Sequence, residues 1–163
     1  MDPLTTGIGQ LLEAQADAVG QRPFLSFGDG TTLSYADVAL RAAKVRRLLE
    51  GHGIGPGDRV ALMLANSLFY PVAWLGIISR GAVAVPVNSR LGPDDAGHVI
   101  GHSRARLVIC DDGTSKVARA AGERSPIKPA VVEVGSGEHD PDILTSTEPM
   151  PLRRIGTRAL ANV

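Results

Sequence analysis

A chain of 163 residues, 44% hydrophobic and 21% charged, is long enough for one buried core and has the composition of a globular protein. Its 17 basic and 17 acidic side chains cancel, which argues against a nucleic-acid or anionic-membrane surface. A single cysteine, Cys110, excludes an internal disulfide and a cysteine-based zinc site.

The N-terminus, Met1-Asp2-Pro3-Leu4, has no basic stretch followed by an apolar core, so no secretory signal is read there. Ile8, Leu11, Leu12 and Gln15 recur at helical spacing and predict an amphipathic helix over Thr6 to Ala18. Two short β-type runs, Phe24 to Phe27 and Thr31 to Leu33, flank Gly28-Asp29-Gly30 and predict a hairpin. Ser34 then opens a helix, with Asp37 placed to complete a capping box. Val38, Ala42, Val45, Leu48 and Leu49 form its apolar stripe. Arg41, Lys44, Arg46 and Arg47 read as its outward, solvated face.

Gly51 to Asp58 ends that helix, and from there the alternation is regular. Arg59 to Leu64 is a strand, and Asn66 or Ser67 caps a helix that runs to Arg80. That helix is apolar nearly all round, so it is expected to be buried on more than one side. Pro71 is tolerated because it falls near the first turn. Ala82 to Val87 is a strand ended by Pro86. The apolar region from Leu68 to Val87 is broken by Pro71, Arg80, Gly81 and Pro86, so it is not a membrane span.

Gly92-Pro93-Asp94-Asp95 starts a helix that reaches His102-Ser103, with proline and acids where helix N-termini favour them. Arg106 to Cys110 is a strand, Thr114 to Ala121 a short helix, and Ala130 to Val134 a further strand. This order predicts an α/β fold: a mostly parallel sheet with helices on both faces (βαβαβαβ), preceded by a helix, a β-hairpin and a second helix. Residues 1–134 form the α/β subdomain. Residues 135–163, with Gly135-Ser136-Gly137, Pro141, Pro149 and Pro151, read as an irregular linker. Its last residues, Ala159 to Val163, look like the start of a strand.

Four features invite chemistry. Glycines at Gly51 to Gly57 follow a helix and precede a strand, the reverse of a dinucleotide loop, and read as a helix end and tight turn. Gly113-Thr114-Ser115-Lys116 lies between a strand and a helix but is too short for a phosphate-binding ring, and reads as an N-cap. His98 and His102 stand four apart on one helix, the spacing at which two imidazoles can meet one metal. No third ligand is evident, so two solvent-facing histidines is the stronger reading. Cys110 closes an apolar run and reads as a small buried thiol. His52 and His139 fall in turns without a catalytic neighbour, and Arg46-Arg47 and Arg153-Arg154 are too short to make a binding patch. From the residues alone, no catalytic, cofactor-binding or metal-binding position is assigned.

Four segments nevertheless resemble the N-terminal region of the adenylate-forming (AMP-binding) acyl-CoA synthetase family. "LSYADV" at 33–38 is similar to its Thr-Tyr-x-Glu-Leu helix start, and "GIGPGDRVALMLANS" at 53–67 to its Gly-Val-x-Pro-Gly-Asp-Arg-Val segment. "WLGIISRGAVAVPVNSRL" at 74–91 resembles its helix, Gly-Ala turn and Pro-x-Asn-x-Arg-Leu turn. "HVIGHSRARLVI" at 98–109 resembles its Tyr-Ile-Leu-x-x-Ser-x-x-x-x-x-Ile segment. Each piece is weak alone; four in order are strong, and they cover about the middle half of the chain.

The resemblance implies fatty-acid–CoA ligase ancestry, with a fatty acid or other carboxylate as substrate and ATP, Mg and CoA as cofactors of the full-length enzyme. It also implies that Ala159 to Val163 match the strand before the family's ATP-binding loop. The chain is therefore expected to be a truncated ligase that is inactive alone. Its alternative is a non-catalytic interaction subunit, or an inert remnant, pairing with a complementary C-terminal polypeptide. A soluble, cytoplasmic setting is expected, with no nucleic acid and no transmembrane segment.

Overall fold

The computed structural model describes residues 7–135 together with residues 148 and 149. Within them the order is α1 (Ile8–Val19), β1 (Pro23–Ser26), β2 (Thr32–Ser34), α2 (Tyr35–Gly51), β3 (Arg59–Met63) and α3 (Phe69–Ser79). β4 (Val83–Pro86), α4 (Pro93–Ser103), β5 (Leu107–Cys110), α5 (Asp112–Arg124) and β6 (Ala130–Glu133) follow. The linker expected beyond Gly135 and the strand expected at Ala159 to Val163 lie outside the described residues.

The hairpin forms as its sequence predicts. β1 and β2 pair antiparallel, and the Asp29 carboxylate accepts from the Thr31 amide at 2.8 Å to set the turn. Phe24 then stacks on Tyr35 with ring centroids 4.3 Å apart, joining the hairpin to the start of α2. That start is a full capping box. The Ser34 hydroxyl accepts from the Asp37 amide at 3.2 Å, and the Asp37 carboxylate accepts from the Ser34 amide at 3.0 Å. At its other end α2 closes with the Ile54 amide donating to the Leu49 carbonyl at 2.9 Å, across Gly53 at φ 66°.

Strands β4-β3-β5-β6 form one sheet, parallel throughout. Alternation along β3 and β5 divides the interior in two. Val60, Leu62, Leu107 and Ile109 face α1, α2 and α3, packing on residues such as Val45, Leu49, Phe69 and Ile77. Ala61, Met63, Val108 and Cys110 face α4 and α5, against Ala96, Ile100, Ala118 and Ala121. The near-continuous apolar runs of β3 and β5 follow, because both faces of a central parallel strand are covered. Gly76 lets α3 approach α2 closely, since a Cβ there would lie 2.5 Å from the Cβ of Val45.

The two edges of the sheet differ. In β4 the amides of Val83 and Val87 donate inward to β3, which puts Pro86, with no N–H, on the outward side. In β6 the amides of Ala130 and Val134 bond inward to the β5 side, so those of Val131 and Glu133 point outward.

At the amino ends of the strands, Asp58 holds three segments together. Its carboxylate accepts from the Gly55 amide at 2.9 Å and from Arg106, before β5, at 2.8 Å. Gly57, at φ 81°, donates to the Gly81 carbonyl at 2.8 Å, tying this turn to the one before β4. Burial raises the Asp58 carboxyl, but the bonds from Arg106 and the Gly55 amide outweigh it and hold it below the ordinary range.

Four expectations are corrected. Ile8 and Leu11 are 50% and 49% exposed, because α1 rests on its neighbours through Gly9 and Leu12 instead. Arg46 is 3% exposed rather than outward: α1 lies over it, and Glu13 accepts from its guanidinium at 2.9 Å. Arg47 does face solvent and pairs with Glu50. Neither Asn66 nor Ser67 caps α3, whose N-cap is Leu68; burial of Leu68 and Phe69 anchors that turn. Finally, α5 begins at Asp112 rather than Thr114 and runs to Arg124, because Asp111 is its cap.

Two outcomes follow from this packing. Gly76→Ala overpacks the α2–α3 contact and is expected to lower unfolding free energy in urea by roughly 1–3 kcal/mol. Gly51→Ala, in open space at the end of α2, is expected to be neutral or to gain about 0.5 kcal/mol. The hydroxyl and amide of Ser34 lower the Asp37 carboxyl, and Asp58 is lowered too, so both contribute stability above the unfolded value of about 3.9. That stability is lost as pH falls through their folded values. Thermal melts of Asp37→Asn and Asp58→Asn should therefore converge on the wild type in acid and fall below it at neutral pH.

Candidate functional site

In an open parallel sheet, ligands bind outside the carboxyl ends of the strands where the connections part to opposite faces. Here the chain leaves β3 into α3 on one face and leaves β5 into α5 on the other. The crevice between the ends of β3 and β5 is thus the first place to look. Leu64-Ala65-Asn66-Ser67 lead out of β3, and Asp111-Asp112 lead out of β5.

The chain itself occupies this crevice. Asp111 Oδ2 accepts from the Ala65 amide at 2.6 Å, across the gap between the two strands. Asp111 Oδ1 accepts from the Thr114 amide at 2.9 Å and so caps α5. Thr114 is buried, and its hydroxyl donates to the Met63 carbonyl at 2.5 Å. An amide that could have faced an anion is therefore committed to a carboxylate. A phosphate brought here would meet that negative charge, so these residues do not fit a nucleotide. Farther along the same edge, Asn88 Oδ1 accepts from the Arg90 amide at 2.9 Å, shaping the exposed Asn88-Ser89-Arg90 turn.

The features singled out in the sequence are not brought together. Gly51 to Gly57 form the end of α2 and the turn into β3, as read. Gly113 to Lys116 lie in the first turn of α5, with Asp111 rather than any of them as the cap. His98 and His102 are both exposed on α4, their ring centroids 5.9 Å apart. Among the described residues, no group of three or more His, Cys, Asp or Glu is placed to hold a metal. Cys110 is fully buried; burial first, then Glu133, pushes its thiol up to about 12, and Sγ donates to the Val132 carbonyl. His52 is exposed, whereas His139 and Arg153-Arg154 lie outside the described residues. No described helix is long and apolar enough to cross a membrane.

Sequence reasoning missed both carboxylate clamps. Asp111 was legible as a cap, because Asp-x-x-Thr directly after an apolar strand is a capping-box pattern. Its bond to Ala65, 46 positions away, left no local signal. The same holds for the pairing of Asp58 with Arg106.

Asp111→Ala removes the cap of α5 and the bridge to β3 together. It is expected to destabilise the fold by about 2–3 kcal/mol in urea denaturation. Asp112→Ala, one residue on and exposed, should cost less than about 0.5 kcal/mol.

Comparison with known proteins places this architecture. The family described as AMP-binding enzyme matches residues 12–153. A medium/long-chain-fatty-acid–CoA ligase of Mycobacterium tuberculosis is 32% identical over 143 residues, covering 87% of this chain and 24% of that protein. A feruloyl-CoA synthase of Amycolatopsis sp. is 33% identical over 115 residues, covering 70% of this chain and 23% of that protein. The crystal structure of the anthranilate CoA ligase AuaEII in complex with anthranoyl-AMP superposes with a TM-score of 0.79 at 22% identity. That superposition covers 94% of this chain and 30% of the other. The chain thus spans about a quarter of the length of the curated ligases it matches. The ordered motifs, the parallel sheet and the family match agree: this chain belongs to the AMP-binding enzyme family and corresponds to the N-terminal part of its acyl-CoA ligases.

Proposed function

We propose that this chain supplies the N-terminal α/β layer of an ATP-dependent acid–CoA ligase and is not a catalyst as a 163-residue polypeptide. Such an enzyme joins a carboxylate to AMP with loss of pyrophosphate, then passes the acyl group to CoA. One observation carries the reading. The crevice where an open sheet would receive a nucleotide is closed by Asp111 on the Ala65 amide. On this reading, residues 1–134 are a scaffolding subdomain and 135–163 a connection. ATP, magnesium and CoA are held elsewhere in the full-length enzyme. A fatty acid or another carboxylate is the substrate class, and the cytoplasm is the setting.

The second reading, a subunit that pairs with a complementary C-terminal polypeptide, draws support from β6, which among the described residues pairs only with β5 and turns the amides of Val131 and Glu133 away from it.

Carboxylate-dependent exchange between ATP and labelled pyrophosphate tests both. The purified chain should give no exchange above background with octanoate, palmitate, benzoate or ferulate. Exchange by the chain alone would overturn the scaffold reading. Exchange restored only by co-expression with the C-terminal part of a related ligase would favour the paired subunit.

A further inference from the structure

The outer face of α4 carries a pair of groups that the ligase reading does not use. Its inner face is fixed by Ala96 and Ile100, both fully buried, and by close contact with α5. A Cβ at Gly97 would lie 3.2 Å from the Ala121 carbonyl oxygen, and one at Gly101 3.1 Å from Pro126. The helix is therefore seated closely on α5 and the turn after it. His98 and His102 are held on its solvent side, one turn apart and both exposed. Their rings are nearly parallel, 16° between planes, with centroids 5.9 Å apart.

Two imidazole nitrogens each about 2.1 Å from one ion set ring centres roughly 5 Å apart. Bringing a nitrogen of each ring onto one ion requires the two side chains to rotate out of this stacked arrangement. The backbone is already placed, so binding costs only the ordering of two side chains. Asp94 lies one turn before His98 but is ion-paired with Arg124 at 2.7 Å. It does not serve as a third ligand.

We propose that His98 and His102 form a two-imidazole surface site for one divalent transition ion, with water completing its coordination. Imidazole donors select the later first-row ions, so Cu2+ binds more tightly than Ni2+ or Zn2+. Because the ion bridges consecutive turns of α4 only in the folded chain, it also raises thermal stability.

Titration calorimetry and thermal melting of the untagged chain with Ni2+ and with Zn2+ test the site. One ion per chain should bind and raise Tm. His98→Ala and His102→Ala should each weaken binding by at least about tenfold, since even groups behind a metal ligand carry effects of that size. His52→Ala, His139→Ala and Cys110→Ser should bind as the wild type does. Both histidines are exposed, and His98→Gln and His102→Gln, which keep a polar side chain on the helix, should show the same loss. An absence of binding by the wild type would overturn the proposal. So would wild-type affinity in His98→Ala or His102→Ala.

Discussion

A carboxylate bonded to a backbone amide across two strands governs the carboxyl end of this sheet. Asp111 takes the Ala65 amide with one oxygen and the Thr114 amide with the other. It thereby fixes the exit of β3, the exit of β5 and the first turn of α5 at one point. The buried Thr114 hydroxyl, donating to Met63, fastens the same junction from inside. At the opposite end of β3, Asp58 does the equivalent work for the turn at Gly55 and for Arg106. The central strand is clamped at both ends by acids, and two apolar cores pack on its two faces.

This arrangement gives physical content to the segments that resemble the ligase family. "LSYADV" is a capping box, and "GPGDR" is a turn whose acid bridges to the next segment of the sheet. "GAVAVP" is an edge strand whose proline removes an outward donor, and "NSR" is a side-chain-stabilised turn. Each segment sets a backbone path. A chain spanning 24% of a related ligase shares these backbone segments with the family.

How much of this was legible in the sequence depends on the range of each interaction. Strand and helix order, the hairpin and the Ser34–Asp37 cap follow from spacings of two to four residues. The burial of Arg46 does not, because it requires knowing that α1 lies across α2 and brings Glu13 to it, 33 positions away. A helical stripe reading assigns such an arginine to solvent by default. Ile8 and Leu11 fail in the opposite sense, as apolar side chains that the packing of α1 leaves outside. In the site, a helix start near Gly113 to Lys116 was readable. The reason the crevice is closed was not, since Ala65 and Asp111 are joined only by the sheet.

Closure of the crevice rests most directly on the Ala65 amide. Ala65 is exposed, yet its amide is held by Asp111, so its hydrogen should exchange far more slowly than that of exposed Asn66 next to it. Native-state hydrogen exchange of Ala65, followed by NMR with and without ATP and Mg2+, measures this. Strong protection that nucleotide leaves unchanged is the expected result. Exchange as fast as that of an open loop, or a saturable change at Ala65 and Asp111 on adding ATP, would contradict it.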